Sequence, residues 1–546
     1  MKIKISILLL SITLIGLAVA GARKSNGFEP ASDLPRGALV YVQVENLPEF
    51  IKLVSESDQY KTFASGETMA AFSNGHLGIK LASRLKEFSN SAGFDFDAGT
   101  LSTLADKRAA LALYDIGKLD FAIVAPMSDT VFQTTQLALN RGKFDSEKLP
   151  DGSTLYRTSA RQAQRLIFTH SRGRLIVSTR DDLIRQALIN IEGRRGMSSL
   201  ADEPSFKALA SDLKPRLAAV WVDQAALNGD YYFKHYWLMS DQKELATVRA
   251  GLFDIGIDER SVSERRVFLT DGIGNERNLD ARSVADALKF IPTDAPLYSV
   301  RSADPASIDK AIGEALFTRK AIKPVGSTTG GSSTSIYGDK FEMAIDEEIE
   351  VDAPIETAAP RPISELFAKP RSIVTFSRPK ILESPLFFET DRAVIVTLAD
   401  ARKFDQAAFE TLIAERFASE RSVGSDRFKW RSENGWRVLD LPFLGAGARY
   451  RIEGANILLT NGFELSGGSP TSVKDGEFSE LTVVNLDQRN TAFDKVFEDF
   501  QKRGAEVRLM TSNVAGLLDS AAPARRLEIR KRASGKLIEE TIVAER

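Results

Sequence analysis

Cysteine is absent from all 546 residues, which excludes disulfides, thiol nucleophiles, thiolate metal sites and acylation on cysteine. Stability must then come from packing alone. Histidine is nearly as scarce. His76, His170 and His235 lie more than 50 residues apart, in no ligand spacing such as HExxH, so neither a metal nor a cofactor is expected. A charge excess is missing too: with Lys2 and Lys4 set aside as part of a leader, 70 basic residues face 74 acidic ones, a formal charge of −4. That balance does not suit a phosphate backbone, and nucleic acid is not expected as a partner. After residue 22 no apolar run approaches the length that spans a bilayer.

The first residues supply what the rest lacks. Ile5 to Ala22 carry no charge, Lys2 and Lys4 precede them, Arg23 and Lys24 follow, and Ala18, Ala20 and Ala22 offer the small residues that signal peptidase inspects. Residues 1–22 therefore read as a signal peptide or an N-terminal membrane anchor. Cleavage after Ala20 or Ala22 gives a soluble protein, whereas an uncut segment of about 18 apolar residues just spans a ~30 Å bilayer core. Either outcome places the body outside the cytoplasm, in the periplasm or cell envelope, with one membrane contact or none.

At 546 residues, with 43% hydrophobic and 27% charged residues, the chain exceeds what one core usually serves. An internal repeat suggests how it divides. Pro35, Ala38, Tyr41 and Pro48 recur as Pro292, Ala295, Tyr298 and Pro305 at an offset of 257, and Leu217, Val220, Asp223 and Gln224 recur as Leu481, Val484, Asp487 and Gln488 at 264. Weaker matches pair Ala105 and Arg108 with Ala368 and Arg371, Ile123-Val124 with Ile395-Val396, and Arg265-Arg266 with Arg525-Arg526. The expected fold is α+β: two tandem related copies, 31–285 and 286–546, each with a largely antiparallel sheet and flanking helices.

The local patterns agree. Ala38 to Val44 reads as a strand, and Leu47, Phe50, Ile51 and Val54 fall at helical spacing. Thr154 to Thr158, Arg165 to His170 and Arg174 to Thr179 form a meander turned at Ser171-Arg172-Gly173, followed by a helix capped by Asp181 or Asp182. Trp436 to Leu441, Arg449 to Ile452 and Ile457 to Thr460 repeat the meander without that helix. Residues 322–362, with ten consecutive Gly, Ser or Thr from Gly326 to Ser335 and then an acidic run bearing Pro354, Pro360 and Pro362, have the composition of a disordered loop or tether.

The Leu34-Pro35 to Pro48 opening, the Gly152 to Thr179 meander with Asp181-Asp182-Leu183, and Ser199 to Phe206 before the Leu217 strand resemble a bacterial exported family of unknown function, in which a leader and tandem α+β copies recur. The resemblance covers most of Asp33 to Leu269 and fragments of the second copy. Its motifs are structural, so it implies a fold and brings no catalytic residues.

Candidate chemistry is sparse. Ser83 and Lys86 form an SxxK on a predicted helix, where one turn sets the lysine beside the serine as a base, but the companion SDN and KTG elements are missing, and a solvated helix face explains the pair better. Asp95 and Asp97 suit a turn better than a cation site. Tyr231, Tyr232, Phe233, His235, Tyr236 and Trp237 concentrate rings that could stack on a ligand, dip into a membrane interface or fill a core. Arg525, Arg526, Arg530, Lys531 and Arg532 read as the wet face of a terminal hairpin turned at Ser534-Gly535. The expected role is a non-enzymatic binding or scaffold module of the envelope. An envelope protein or a hydrophobic ligand is the expected partner, with a lipid or hydrophobic-ligand carrier and a Ser83/Lys86 hydrolase as alternatives.

Overall fold

The computed structural model describes residues 29–56, 73–317, 361–488 and 524–545, with short breaks inside these spans and two isolated positions at 61 and 65. The leader and the Gly326 to Pro360 stretch, both singled out above, lie outside the described residues. The chain divides into two compact units, Met1–Glu276 with Phe497–Arg546, and Arg277–Val496.

In chain order the first unit contains α1 (Pro30–Asp33), β1 (Val40–Val44), α2 (Leu47–Glu56), α3 (His76–Ala92), α4 (Ala98–Ser102), β2 (Ala109–Asp115) and β3 (Asp120–Pro126). Next come α5 (Asp129–Thr134), α6 (Gln136–Leu139), β4 (Asp145–Lys148), β5 (Thr154–Arg157), β6 (Ile167–Ser171), β7 (Arg174–Ser178) and α7 (Asp181–Ile191). Then α8 (Pro204–Ala210), β8 (Ala218–Val222), α9 (Gln224–Gly229), β9 (Val248–Ile257) and β10 (Ser261–Thr270) follow. The second unit contains α10 (Ala281–Leu288), β11 (Leu297–Ser302), α11 (Pro305–Leu316), β12 (Pro370–Lys380), β13 (Glu389–Leu398) and α12 (Gln406–Glu420). It ends with β14 (Trp430–Glu433), β15 (Trp436–Leu441), β16 (Gly445–Glu453), β17 (Asn456–Thr460) and β18 (Glu480–Asn485). The chain then returns to the first unit with β19 (Arg526–Ser534) and β20 (Leu537–Glu545).

The fold is α+β with antiparallel pairing throughout the described strands. In the first unit the strands run side by side as β4-β5-β6-β7-β3-β2-β1-β8-β9-β10-β20-β19. In the second the order is β14-β15-β16-β17-β13-β12-β11-β18. β4 and β14 are short and rich in charge, features that discourage pairing with other chains.

Period-two alternation sends the two faces of each sheet into separate cores. In the first unit Tyr41, Ala112, Val124, Ile176, Trp221 and Leu252 pack with Leu34, with Ile184 and Leu188 of α7, and with Phe206 of α8. The opposite face, through Phe168, Leu175 and Val177, takes Phe132 of α5, Leu137 of α6 and Ala92 at the end of α3. In the second unit Val394, Val396, Leu439, Tyr450 and Leu459 pack with Ile308 and Ile312 of α11 and with Phe409, Ile413 and Phe417 of α12. Val374, Phe376, Ile395, Trp436 and Leu458 pack on the other side with Val284, Ala287 and Leu288 of α10.

Local chemistry sets the element boundaries. Asn46 Oδ1 accepts from the Glu49 amide at 3.2 Å as α2 begins, and Asp304 Oδ1 accepts from Ser307 at 3.0 Å ahead of Pro305 at the start of α11. Arg172 and Gly173 both take positive φ, the conformation a two-residue hairpin requires. The cap of α7 departs from expectation. Arg180 occupies the N-cap, and Asp181 and Asp182 lie in the first turn, where their negative charge is stabilised by the positive end of the helix dipole.

Domain boundaries also depart. Instead of copies at 31–285 and 286–546, α10 belongs to the second unit, and the terminal hairpin pairs with β10 from Ser261↔Glu545 to Leu269↔Leu537. Strand addition joins segments distant in sequence, so chain order alone assigned the hairpin to the wrong unit. The turn itself is as expected, with Ser534 opposite Leu537 and Gly535 at φ +61°. The hairpin's face is not uniformly wet, because Lys531 shares the parity of Leu527 and Ile529 and is buried with them.

Candidate functional site

Ser83 and Lys86 stand on α3 one turn apart, both exposed. Phe88, on the opposite side of the helix, is buried and packs edge-on against Phe121 at 5.7 Å. The pair therefore occupies the solvent side of the helix, and among the described residues no hydrogen bond joins the two.

The aromatic segment is described at two positions. Asp230 Oδ1 accepts from the Phe233 amide at 2.8 Å. Phe233 is 5% exposed and Tyr231 64%, so one ring belongs to the interior and the other to the surface. Tyr232, His235, Tyr236 and Trp237 lie outside the described residues.

His170 is held on both nitrogens: Nε2 lies 2.8 Å from the Met127 carbonyl oxygen and Nδ1 lies 3.2 Å from Asp129. Its ring stacks on Phe132 at 4.6 Å. A general base needs one nitrogen directed at a substrate or nucleophile. Here that position is taken by a backbone carbonyl, and the residue ties β6 to the start of α5. Asp97 is the N-cap of α4, its carboxylate accepting from the Thr100 amide at 2.7 Å, a bond that holds its pKa below the usual aspartate value.

The arrangement with the character of a built site was not singled out in the sequence. Tyr41 and Gln43 share one face of β1, and Glu45 follows just past its end. The Tyr41 hydroxyl donates to Gln43 Oε1 at 2.8 Å, and Gln43 Nε2 donates to Glu45 Oε1 at 2.8 Å. Arg108 closes the file through Nε at 2.9 Å and a second bond to Glu45 Oε2. Tyr41 is fully buried and Gln43 nearly so, whereas Glu45 and Arg108 are about a quarter open to solvent. Burial drives the Tyr41 phenol well above its ordinary pKa, so it stays a donor, and polarity runs without a break from the core to a charged pair at the rim. The signal was present in Tyr41-Val42-Gln43-Val44-Glu45, where a glutamine takes an inward position of an alternating strand.

In the second unit the dominant cluster is a helix-to-sheet tie. Arg437 of β15 reaches both carboxylate oxygens of Glu410 on α12 at 2.6 and 2.8 Å, and the Tyr450 hydroxyl donates to the same carboxylate at 2.7 Å. Burial alone would raise the Glu410 pKa, but the bonds from Arg437 and Tyr450 together hold it below the usual glutamate range. Trp430 Nε1 donates to the Glu410 carbonyl at 2.9 Å, and its ring meets Tyr450 edge-on at 5.2 Å.

No family model matches the chain, and no curated protein matches it. Among solved structures, crystal form I of TP0453 aligns at 8% identity and a TM-score of 0.24 over 46% of this chain and 81% of that one. Crystal form III aligns at 10% identity and 0.25 over 46% and 84%, and form IV at 10% and 0.24 over 44% and 81%. TM-scores this low carry neither a fold nor a function across.

Proposed function

We propose that this chain is an exported, non-enzymatic binding or scaffold protein of the cell envelope, built from two copies of one eight-strand α+β framework. The observation that supports the two-copy framework is the strand order. Numbering each unit's strands from its first, both read 4-5-6-7-3-2-1-8 among the described residues, and the first unit then adds β9, β10, β20 and β19. Val40, which faces Leu113 and Val222, corresponds to Leu297, which faces Ser377 and Val484, at the offset of 257 read from the opening motif.

On that register several sequence matches shift. Val222, rather than Val220, corresponds to Val484, a two-residue slip that keeps the same face. Val124 corresponds to Ile395, one residue from the sequence match of Val124 with Val396. Arg525-Arg526 lie at the return to the first unit and have no equivalence to Arg265-Arg266.

The copies keep the framework and diverge in polarity. Tyr41 corresponds to Tyr298, while Gln43, Glu45 and Arg108 correspond to Val300, Ser302 and Ser372. The fold does not require the buried polar file, because the second unit fills those positions without it. A specialised first copy on a duplicated frame suits surface recognition better than a reaction centre. Among the described residues no helix is long and apolar enough to cross a membrane.

The test is in-cell crosslinking with mass spectrometry on the full chain, paired with a serine-reactive fluorophosphonate probe. Extracytoplasmic neighbours, a trimmed or membrane-inserted N-terminus and an unlabelled Ser83 are expected. Labelled Ser83 would overturn the non-enzymatic reading, and an untrimmed chain among cytosolic proteins would overturn export.

A further inference from the structure

Beyond the eight-strand order, the first unit's described strands continue through β9 and β10 to a hairpin of β20 and β19 that is distant from β10 in sequence. β20 lies along β10 over nine consecutive register pairs, and Lys536 in the turn continues the contact, its carbonyl accepting from the Thr270 amide at 2.9 Å and hydroxyl at 3.1 Å. Apolar alternation alone cannot fix this alignment. Ile538, Ile542, Leu527 and Ile529 recur at even spacing, so a slip of two residues returns apolar side chains to the same face.

The charges break that degeneracy. Arg266 is buried, faces Glu540 across the ladder, and donates to it through one terminal nitrogen at 3.2 Å. Its Nε and other terminal nitrogen are held by Glu264 at 2.8 and 2.9 Å. Beyond Glu540, Lys531 stands opposite on β19 and is itself buried, so the charges alternate across three strands. The other face carries a second key: Arg265 Nε donates to Glu539 at 2.5 Å, and a terminal nitrogen to Asp212 at 2.8 Å.

We propose that the edge of β10 is a recognition surface for one occupant, the chain's own C-terminal hairpin, and that the Arg266–Glu540–Lys531 rung selects its register. A slip of two residues in either direction sets Arg266 against Ile538 or Ile542 instead of Glu540. Such a slip separates Glu540 from Arg266 and leaves one guanidinium N–H of Arg266 without an acceptor, which low-dielectric surroundings penalise heavily. Apolar burial supplies affinity for the edge, and the rung supplies selectivity, the use for which buried polar groups in coiled coils are best attested. The inference rests on strand pairing and is independent of the export reading.

The absence of cysteine permits a direct test in the full-length protein. Ser263 faces Val543, so Ser263→Cys with Val543→Cys reports the native register, whereas Ser263→Cys with Thr541→Cys or with Glu545→Cys reports a two-residue slip. With the rung intact, the native pair should form a disulfide at least tenfold faster than either slipped pair. Replacing the rung by Arg266→Met, Glu540→Leu and Lys531→Met should bring the slipped pairs within threefold of the native one. Should that triple variant not fold, Glu540→Gln in the same assay should raise slipped trapping at least threefold. Slipped trapping that stays unchanged when the rung is altered would overturn the selection role, and failure of the native pair to trap with the rung intact would overturn the pairing itself.

Discussion

Removing the Glu410 carboxylate should loosen α12 from its sheet, and the cost can be worked from the geometry. The group sits between two regimes: its side chain is 19% exposed and that of Arg437 33%, so the pair is neither fully solvated nor buried. An exposed ion pair contributes roughly 0.2–1 kcal/mol, and breaking a fully buried one costs roughly 3–5 kcal/mol. Two-point contact with Arg437 and the added Tyr450 hydroxyl favour the middle of that interval, so Glu410→Ala should cost about 2–3 kcal/mol. Glu410→Gln keeps one acceptor oxygen but turns an amide N–H toward donors, and should cost about 1–2 kcal/mol. The assay is urea denaturation of the full chain by circular dichroism, in a double-mutant cycle with Arg437→Met. A coupling energy of at least about 1 kcal/mol is expected, above the typical exposed pair. Coupling below about 0.3 kcal/mol would refute the reasoning, showing that helix packing carries the contact without the charges. A pH series adds a second check. Because the folded-state pKa of Glu410 is depressed, its stabilisation is present above the unfolded glutamate value near 4.5 and is lost as pH falls through the folded value. The difference between wild type and Glu410→Gln should therefore shrink with acidification below that point.

Other substitutions probe the rest of the framework by the same denaturation assay. Phe409→Ala empties a fully buried position ringed by Phe367, Phe404, Trp430 and Tyr450, and should cost about 3–5 kcal/mol, whereas a loss under about 1 kcal/mol would mean the site collapses freely. Gly468→Ala brings a methyl group to 2.5 Å from the Ile291 carbonyl oxygen and 2.8 Å from the Thr293 nitrogen, backbone atoms that cannot swing aside, and should cost about 1–3 kcal/mol. His170→Ala loses the Met127 bond and the Phe132 stack and should cost about 1–3 kcal/mol, while Asp129→Asn, at a highly exposed carboxylate, should cost under about 0.5 kcal/mol. Gln43→Val leaves the Tyr41 hydroxyl without its acceptor and should cost about 1–3 kcal/mol. A neutral result there would mean the hydroxyl finds another partner.

Much of the architecture was legible before any coordinates. Alternation at Ala38 to Val44, the Arg172-Gly173 turn, the helical spacing of Leu183, Ile184, Ala187 and Leu188, and the Ser534-Gly535 hairpin turn are short-range signals, written in side-chain period and in glycine's tolerance of positive φ. The short edge strands β4 and β14 escaped notice because four residues of mixed charge carry no period. The candidate sites fared differently. Ser83 and Lys86 formed a linear motif, yet tertiary packing turned them to solvent, and Phe233 left the aromatic segment for the interior while Tyr231 remained outside. Gln43 was passed over because one polar residue among valines looks like noise until Tyr41, Glu45 and Arg108 are brought beside it.

Sequence by itself determined the α+β class, the strand that carries Tyr41 and the identity of the turns, because each depends on residues within a few positions of one another. Tertiary structure alone decided that the final hairpin completes the first unit, that Arg266 meets Glu540 from 274 residues away, and that Arg437 and Tyr450 converge on Glu410. The physical reason is that strand addition and buried charge pairing are settled by which surfaces meet in space, and the free energy of a lone buried charge depends on a partner that chain order does not name.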